Sequence, residues 1–443
     1  MYRLLFVAFL TTSFTTLLYP PASLAEVRQL IIVHTNDLHG HIKEEKDYAG
    51  AARISAFVDQ QRELYPGVLL LDAGDAISGT PVSTMYKGLP IFRIMNAMGY
   101  DVGLLGNHEF DHGYKHIEKF REIADYPLLS ANVFDSNHQL ISDGENRLLE
   151  VNGVSIGIIG LITETTPMII SPVGNEGLIF LDPAQVLKEQ IKLVRRRVDL
   201  LIVLSHVGHE EDKELARTIQ GIDLIVGAHS HTLVDPVIKV GSTYITQANR
   251  YGTHVGFIKL SVDTDTDSIS SLSGGLIPAN DLPPPAPAIL ALVNFWEDKV
   301  KALVDVEIAT ASREISGEEL QAMFEKILAN ASGADFGYYN IGGIRDKISV
   351  GPVTARHFWN IEPFENKLVT MTIKGADYLR LLAREDEIHS SIPTIELEKV
   401  YKIATNSFIG AHATKTFGDN VQVHDLGVLV RDVLIDHIRA NGL

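Results

Sequence analysis

Short apolar runs alternate with amphipathic stretches over residues 27–263 of the chain. The apolar runs predict strands at 30–35, 68–71, 102–105, 128–132, 154–162, 200–204, 224–226, 243–247 and 254–262. Between several of them, apolar positions recur at helical spacing, at 51–62, 90–98, 115–123, 184–197 and 213–220. This alternation predicts a layered α/β domain. Several later strands have no helices between them, which predicts partly antiparallel, mixed sheets.

A change of composition divides the chain after this domain. Residues 263–288 are rich in Asp, Ser, Thr and Gly and end in a proline-rich run, which is typical of a linker. A helical pattern at 288–304 follows, and then helices at 318–329, 375–383 and 426–440 with strands at 368–373 and 400–405. We therefore predict an α/β domain at 27–263, a linker with a connecting helix at 264–304, and a smaller α+β domain at 305–443.

The first 25 residues have the pattern of a secretory signal peptide. Arg3 precedes an apolar stretch that ends at a proline pair, and Ser23 and Ala25 supply the small residues of a cleavage site. The alternative is an uncleaved anchor, but the apolar stretch is short for a membrane span, which needs ~20 residues. We expect cleavage after Ala25, a periplasmic or secreted protein and no stable membrane anchor.

Charge and cysteine content narrow the classes of partner. The 443 residues include no cysteine and carry a formal net charge of −18 at pH 7. A chain of this length can bury a sufficient core without disulfides. The acidic balance argues against a nucleic-acid polymer as a partner. A small anionic substrate would need bound cations to approach so acidic a protein.

Candidate metal ligands recur at five places, each directly after an apolar run. The side chains are Asp37, His39, Asp75, Asn107, His206, His229 and His231. Open α/β sheets place their sites past such strand ends. Any one of these residues alone could be a turn or a helix cap, but the ordered set predicts two divalent ions. Nitrogen and oxygen donors without a thiol suit Mn, Zn, Co, Fe or Mg, and paired ions of this kind hydrolyse phosphate esters.

Two residues of the run at 106–111 are candidates for acid–base chemistry. His108 directly follows Asn107, and because neighbours on a turn point in different directions, we expect His108 to face the substrate. Asp111 can then bond the other ring nitrogen, fix the tautomer and favour the imidazolium. That imidazolium would stabilise charge on phosphoryl oxygens or protonate the leaving oxygen. We predict His108 and Asp111 as the catalytic residues.

Seven short runs carry a resemblance to a known family. They lie at 34–40, 72–75, 106–111, 227–231, 332–336, 340–345 and 363–366. At these runs the chain resembles the calcineurin-like metallophosphoesterases, and specifically the secreted 5′-nucleotidase/UDP-sugar hydrolase family. The resemblance implies an N-terminal four-layer α/β sandwich with mixed sheets and a C-terminal substrate-binding domain.

The resemblance also implies residue roles. One ion would take Asp37, His39, Asp75 and His231, and the other would take Asp75, Asn107, His206 and His229. In the second domain it implies that Arg345 binds the substrate, that Asn340 assists it, and that Phe364 forms one wall of an aromatic clamp. Arg313 aligns with a further substrate arginine. Without the resemblance, Arg345 could equally form a surface ion pair and Phe364 could belong to the core.

The chain departs from the family near its C-terminus. The family has a Gly-Gly-Asp-Gly-Phe-like loop, whereas residues 408–420 have altered spacing in which Phe417 can stand in for the second clamp ring. We predict a 5′-nucleotidase that converts nucleoside 5′-monophosphates to nucleosides and phosphate. Alternatives are a 2′,3′-cyclic-nucleotide or UDP-sugar hydrolase, or a related phosphoesterase with a non-nucleotide substrate. A metal-retaining binding protein would not need both His108 and Asp111, and an adhesin would need repeats or an anchor.

Overall fold

A computed structural model describes residues 26–171, 174–382, 394–417 and 421–443. The leader predicted at 1–25 lies outside these residues. Within the described ranges, no helix combines the length and apolar character that a membrane crossing requires.

The first domain contains fourteen strands and the first eight helices among the described residues. The strands are β1 (Val27–Thr35), β2 (Val68–Asp72), β3 (Gly103–Leu104), β4 (Leu128–Leu129), β5 (Val133–Phe134), β6 (Asn146–Val151), β7 (Val154–Ile162), β8 (Ile179–Phe180), β9 (Leu200–His206), β10 (Leu224–Gly227), β11 (Leu233–Val240), β12 (Thr243–Ala248), β13 (His254–Asp263) and β14 (Ser268–Pro278). The helices are α1 (Gly50–Leu64), α2 (Pro81–Met85), α3 (Leu89–Met98), α4 (Ile117–Ile123), α5 (Thr166–Ile169), α6 (Pro183–Val194), α7 (His209–Thr218) and α8 (Pro287–Val304).

Two sheets stack face to face at the centre of this domain. Their strand orders are β14-β13-β1-β2 and β11-β12-β10-β9-β7-β6. Buried residues of alternate positions, such as Leu30 and Ile32 of β1 with Ile202 and Leu204 of β9, fill the space between the sheets. The remaining alternate positions face helices: α1, α3 and α8 cover the first sheet, and α6 and α7 cover the second. The predicted four-layer sandwich is confirmed.

Both sheets are mixed, as predicted. In the first sheet β1 pairs parallel with β2 and antiparallel with β13. In the second sheet β7, β9, β10 and β12 are parallel, whereas the edge strands β6 and β11 are antiparallel. Parallel strands end at the same edge of a sheet, so the loops after β1 and β2, and those after β9 and β10, come together.

The predicted linker at 264–304 is wrong at 268–278, whereas its connecting helix is present as α8. Residues 268–278 form β14, which pairs antiparallel with β13 and extends the first sheet. The Ser- and Gly-rich composition conceals spaced apolar residues, because Ile269 and Leu272 pack on the core between the sheets. The connecting helix α8 packs Ile289 and Val293 into the core beneath α1 and α3.

The second domain is a smaller α+β unit, as predicted. Its strands are β15 (Glu307–Ala311), β16 (Phe336–Gly337), β17 (Gly351–Thr354), β18 (Lys367–Lys374), β19 (Val400–Asn406) and β20 (Gln422–Leu429), and its helices are α9 (Gly317–Ser332), α10 (Ala355–Ile361), α11 (Gly375–Leu382), α12 (Ser407–Phe417) and α13 (Val430–Asn441). A sheet of order β16-β19-β18-β20 has α9 and α13 on one face and α11 and α12 on the other. The helix predicted at 426–440 begins four residues later, because β20 continues to Leu429.

The two domains contact each other at one side of the strand ends. The Thr84 hydroxyl donates to the Pro363 carbonyl at 3.0 Å, and the Tyr251 hydroxyl donates to the Arg345 carbonyl at 3.2 Å. Arg356 on α10 forms a 2.8 Å ion pair with Glu297 on α8. A cavity lies between the domains at this side.

Candidate active site

All seven predicted metal ligands lie at the carboxyl ends of the central strands. They are Asp37 and His39 after β1, Asp75 after β2, Asn107 after β3, His206 at the end of β9, and His229 and His231 after β10. Each is nearly or fully inaccessible to solvent except His229 and His231, which are partly exposed. The face-to-face packing of the two sheets therefore brings together side chains from distant parts of the sequence.

The backbone at five of these seven positions is left-handed. Asp37, His39, Asp75, His229 and His231 have φ between 47° and 72°. Residues other than glycine rarely adopt this conformation, which costs of the order of 1–3 kcal/mol when it is strained. The surrounding structure must hold these turns, and such concentrated strain is characteristic of functional sites.

Glu109, which the sequence analysis did not single out, holds the turn at Asp75 against the turn at Gly106. Its buried carboxylate accepts hydrogen bonds from the backbone N–H groups of Asp75, Ala76 and Gly106, at 2.7 to 3.1 Å. Burial, followed by the charge of Asp75, raises the pKa of Glu109 to about 7. A Cβ at Gly106 would lie 2.3 Å from Asp75 Oδ1, so this close approach requires glycine. The one feature of the sequence that could have identified Glu109 was its position inside the run at 106–111.

One group of donors forms around His39. Its Nε2 lies 3.1 Å from His231 Nε2, 3.8 Å from Asp75 Oδ2 and 4.0 Å from Asp37 Oδ1. His231 Nε2 is in turn 3.5 Å from Asp37 Oδ1. This is the set of four that the resemblance assigns to one ion.

A second group of donors shares Asp75 with the first. His206 Nε2 lies 3.1 Å from Asp75 Oδ2 and 3.2 Å from Asn107 Oδ1. His229 Nδ1 lies 2.9 Å from the same amide oxygen. Asp75 thus stands between the two groups, with one carboxylate oxygen near His39 on one side and near His206 on the other.

The chemistry of these donors fits bound cations. His39 Nδ1 donates to the Ser78 carbonyl at 3.0 Å, and His206 Nδ1 donates to the Ala73 carbonyl at 2.9 Å. Each neutral imidazole therefore points the Nε2 lone pair at the oxygens of Asp75 and its neighbours, an arrangement that repels unless a proton or cation lies between them. Without a cation, a proton on His206 relieves this repulsion: burial lowers the pKa of His206, but the charge and hydrogen bond of Asp75, together with the charge of Asp37, raise it to about 10.

His108 lies beside both groups and is oriented by Asp111. Its Nδ1 is 2.8 Å from Asp111 Oδ2, and its backbone N–H donates to Asp75 Oδ1 at 2.8 Å. Burial would lower the pKa of His108, but the carboxylates of Asp111 and Asp75 raise it. The bond to Asp111 leaves His108 Nε2 free to act as a donor.

The second domain closes the other side of a cavity of about 560 Å³. Arg345, Asn340 and Phe364 all line it, together with His108 and Asp111. Arg345 Nη2 is 3.4 Å from His39 Nε2, and the Phe364 ring stacks on His108 with centroids 5.8 Å apart. Side chains predicted from the sequence in both domains therefore line one cavity.

The predicted substrate residue Arg313 does not line this cavity. Arg313 is well exposed and forms an ion pair with Glu319 in the first turn of α9. Glu319 thus gives Arg313 a partner outside the cavity. Phe417 ends α12, and its side chain lies outside the described residues.

Other residues in and beside the cavity had no role assigned from sequence. Phe408 at the start of α12 and the apolar pair Ile169 and Ile170 line the cavity. Tyr251 stacks on His41 with ring centroids 4.2 Å apart and meets His39 edge-on at 5.5 Å. Aromatic and aliphatic residues are common in cores, so pattern alone could not distinguish these from ordinary packing.

Comparison with known proteins identifies the family to which this site belongs. Residues 30–233 match the calcineurin-like phosphoesterase family, and residues 299–392 match the 5′-nucleotidase C-terminal domain. The 5′-nucleotidase of Vibrio cholerae is 30% identical over 422 residues, which cover 80% of this chain and 76% of that protein. The chain belongs to the 5′-nucleotidase family. The resemblance and the predicted class, a metal-dependent phosphoester hydrolase, are confirmed.

Relatives within the 5′-nucleotidase family share the architecture over different lengths. The crystal structure of a 5′-nucleotidase precursor from Thermus thermophilus is 26% identical and superposes with a TM-score of 0.84, covering 93% of this chain and 96% of that one. The trifunctional nucleotide phosphoesterase YfkN of Bacillus subtilis is 27% identical over 506 residues. That match covers 93% of this chain but 34% of YfkN, so the chain spans about a third of that relative.

Proposed function

We propose that the chain is a 5′-nucleotidase that releases phosphate from nucleoside 5′-monophosphates. The observation that carries the proposal is the shared cavity. His108 and members of both donor groups lie on its first-domain wall, and the stacked Phe364 and the cation Arg345 lie on its second-domain wall. A phosphate and a flat base are the two parts of a nucleotide that such walls would bind.

We assign two divalent ions to the donor groups around His39 and His206, with Asp75 shared. When bound, such ions polarise the phosphate and supply an activated water at neutral pH. Their identity among Mn, Zn, Co, Fe and Mg depends on supply as well as on ligand type. The lone pairs that converge on Asp75 support this assignment.

The chain's own residues would then divide the remaining work. The imidazolium of His108, oriented by Asp111, donates from Nε2 to a phosphoryl oxygen or protonates the leaving 5′-oxygen. Arg345 holds phosphate oxygens by charge-assisted hydrogen bonds. Phe364 stacks on the base, and Asn340 contacts the nucleoside. The pattern at 1–25 supports action outside the cytoplasm, after cleavage at Ala25.

The test is product formation by residues 26–443 from AMP, UDP-glucose, 2′,3′-cyclic AMP and glycerol 3-phosphate. Each substrate is offered with added Mn, Zn or Co and with a chelator, and products are followed by chromatography. Metal-dependent conversion of AMP to adenosine supports the proposal. Turnover of only UDP-glucose or the cyclic nucleotide would mean that the proposed substrate is wrong, although the proposed active site would stand. No turnover of any ester at full metal loading would contradict it.

A further inference from the structure

The segment that carries Phe364 accepts backbone hydrogen bonds from four donor groups. Residues 361–366, the Phe364 segment, connect α10 to β18. The donors to its carbonyls are Arg345 N–H on Ile361 (2.9 Å), Arg431 Nη1 on Glu362 (3.0 Å) and Phe364 (3.1 Å), the Thr84 hydroxyl on Pro363 (3.0 Å), and Val430 N–H on Asn366 (2.8 Å). A segment without regular structure thus has its backbone held from both domains.

Arg431 on α13 makes two of these bonds with one nitrogen. Its Nη1 donates to the carbonyls on either side of Pro363, those of Glu362 and Phe364. The side chain is 1% exposed, although arginine is rarely fully buried. Because one donor bridges alternate carbonyls, it fixes the turn from which the Phe364 ring projects towards His108.

The surroundings of Arg431 hold its guanidinium in one plane. The guanidinium carbon lies 3.5 Å from the ring centroid of Trp359, and Glu362 Oε2 is 4.0 Å from Nη1. The other Glu362 oxygen accepts from the Tyr339 hydroxyl at 3.0 Å. A planar guanidinium can stack on the indole and donate to the backbone at the same time, whereas a lysine ammonium cannot do both.

We propose that Arg431 is a positioning residue for substrate recognition. It sets the height and tilt of the Phe364 ring over His108 and so determines how well the cavity binds a flat aromatic group. The proposal rests on the proposed function in one respect, the contact between Phe364 and the base. Arg431 lines no part of the cavity and does not touch the donor groups.

A purely structural role makes a different prediction from a positioning role. Loss of a buried arginine that only stabilises the domain would reduce active protein and lower the turnover of all esters alike. Loss of a positioning residue would raise KM for substrates with an aromatic ring and leave esters without a ring unaffected. The comparison of two substrates therefore separates the roles.

The experiment compares Arg431→Met with wild type on AMP and on glycerol 3-phosphate. The matched control is Arg439→Met on the same helix, where the arginine is exposed and pairs only with Asp436 among the described residues. We expect Arg431→Met to raise KM for AMP about tenfold with little change in kcat, and to leave glycerol 3-phosphate unchanged. The KM of Arg431→Lys for AMP should lie between those of wild type and Arg431→Met. Arg439→Met should match wild type on both esters.

Equal losses on both esters, or no change on AMP, would overturn the proposal. If Arg431→Met does not fold, Arg431→Lys is measured in the wild-type and Phe364→Ala backgrounds. It should raise KM for AMP in the first and have no further effect in the second, and equal effects in both would overturn the proposal. If wild type turns over 4-nitrophenyl phosphate but no nucleotide, the proposed function fails, and the aryl ester replaces AMP in the same comparison.

Discussion

The two walls of the cavity are built in different ways. On the first-domain wall, reactive side chains sit on short turns directly after strands, and five of the seven donors have left-handed backbones. On the second-domain wall, Phe364 and Asn340 sit on irregular segments whose supports lie far along the chain: Arg431 is 67 residues from Phe364, and Asn406 is 66 residues from Asn340. The residues for the chemistry are therefore specified by local sequence motifs. The residues for substrate recognition depend instead on contacts with distant parts of the chain.

The largest effect should come from the first wall. His108→Ala removes the group that we propose stabilises developing charge, and we expect kcat to fall by about 10²–10⁴ on every phosphate ester. His424→Ala, at an exposed position on β20, is the control and should match wild type. Steady-state kinetics on AMP and glycerol 3-phosphate provide the measurement. A variant that retains wild-type kcat on either ester would assign the chemistry to another residue.

The next effect concerns the second wall. Phe364→Ala removes a ring that stacks on His108, and loss of base stacking worth about 1–3 kcal/mol should raise KM for AMP by at least about fivefold. Phe364→Tyr should retain most of the affinity. Phe295→Ala, at an exposed ring on α8, is the matched control. An unchanged KM for AMP would show that Phe364 does not contribute to substrate binding.

A smaller effect tests the contact between the walls. Tyr251→Phe keeps the ring against His39 and His41 but removes the hydroxyl that donates to the Arg345 carbonyl. A neutral hydrogen bond of about 1 kcal/mol predicts a fall in kcat/KM of about fivefold. Tyr65→Phe, which removes a hydroxyl that accepts from Lys259 instead, should be neutral. Equal kinetics for the two variants would mean that Arg345 is held by other groups.

The last effect is on stability rather than on catalysis, and it concerns a support of the second wall. Glu325 accepts the Tyr339 N–H beside Asn340, and burial raises its pKa from 4.5 to about 7. Between these values the folded chain retains a proton that the unfolded chain has lost, so the free energy of unfolding falls as pH rises through this window, by about 3 kcal/mol. Urea midpoints at about pH 5 and about pH 8 should differ less for Glu325→Gln than for wild type. Identical pH dependence in the two proteins would assign the effect to other groups.

The first wall and the sandwich were predictable from sequence because their signals are local. Asp37 and His39 follow an apolar run directly, and the run itself predicts β1. Turns at strand ends bring such residues together whatever the length of chain between them. The resemblance then supplied the pairing of ligands, which spacing alone left open.

Other features were not predictable because their causes lie outside the local pattern. The strand β14 looks like a linker in composition and forms only because β13 offers it a paired edge. Arg313 matched a substrate arginine, but Glu319 pairs with it outside the cavity. The roles of Tyr251 and Arg431 can be inferred only from the structure, which shows the groups that the Tyr251 hydroxyl and the Arg431 guanidinium contact.

The central claim is that the first wall carries out the chemistry and the second wall recognises the substrate. Its most direct test is one ratio, kcat/KM for AMP divided by kcat/KM for glycerol 3-phosphate. It is measured for wild type, His108→Ala and Phe364→Ala at saturating metal. The account predicts that His108→Ala lowers both terms and leaves the ratio near that of wild type, whereas Phe364→Ala lowers the ratio. A ratio that Phe364→Ala leaves unchanged while both activities fall would contradict the account.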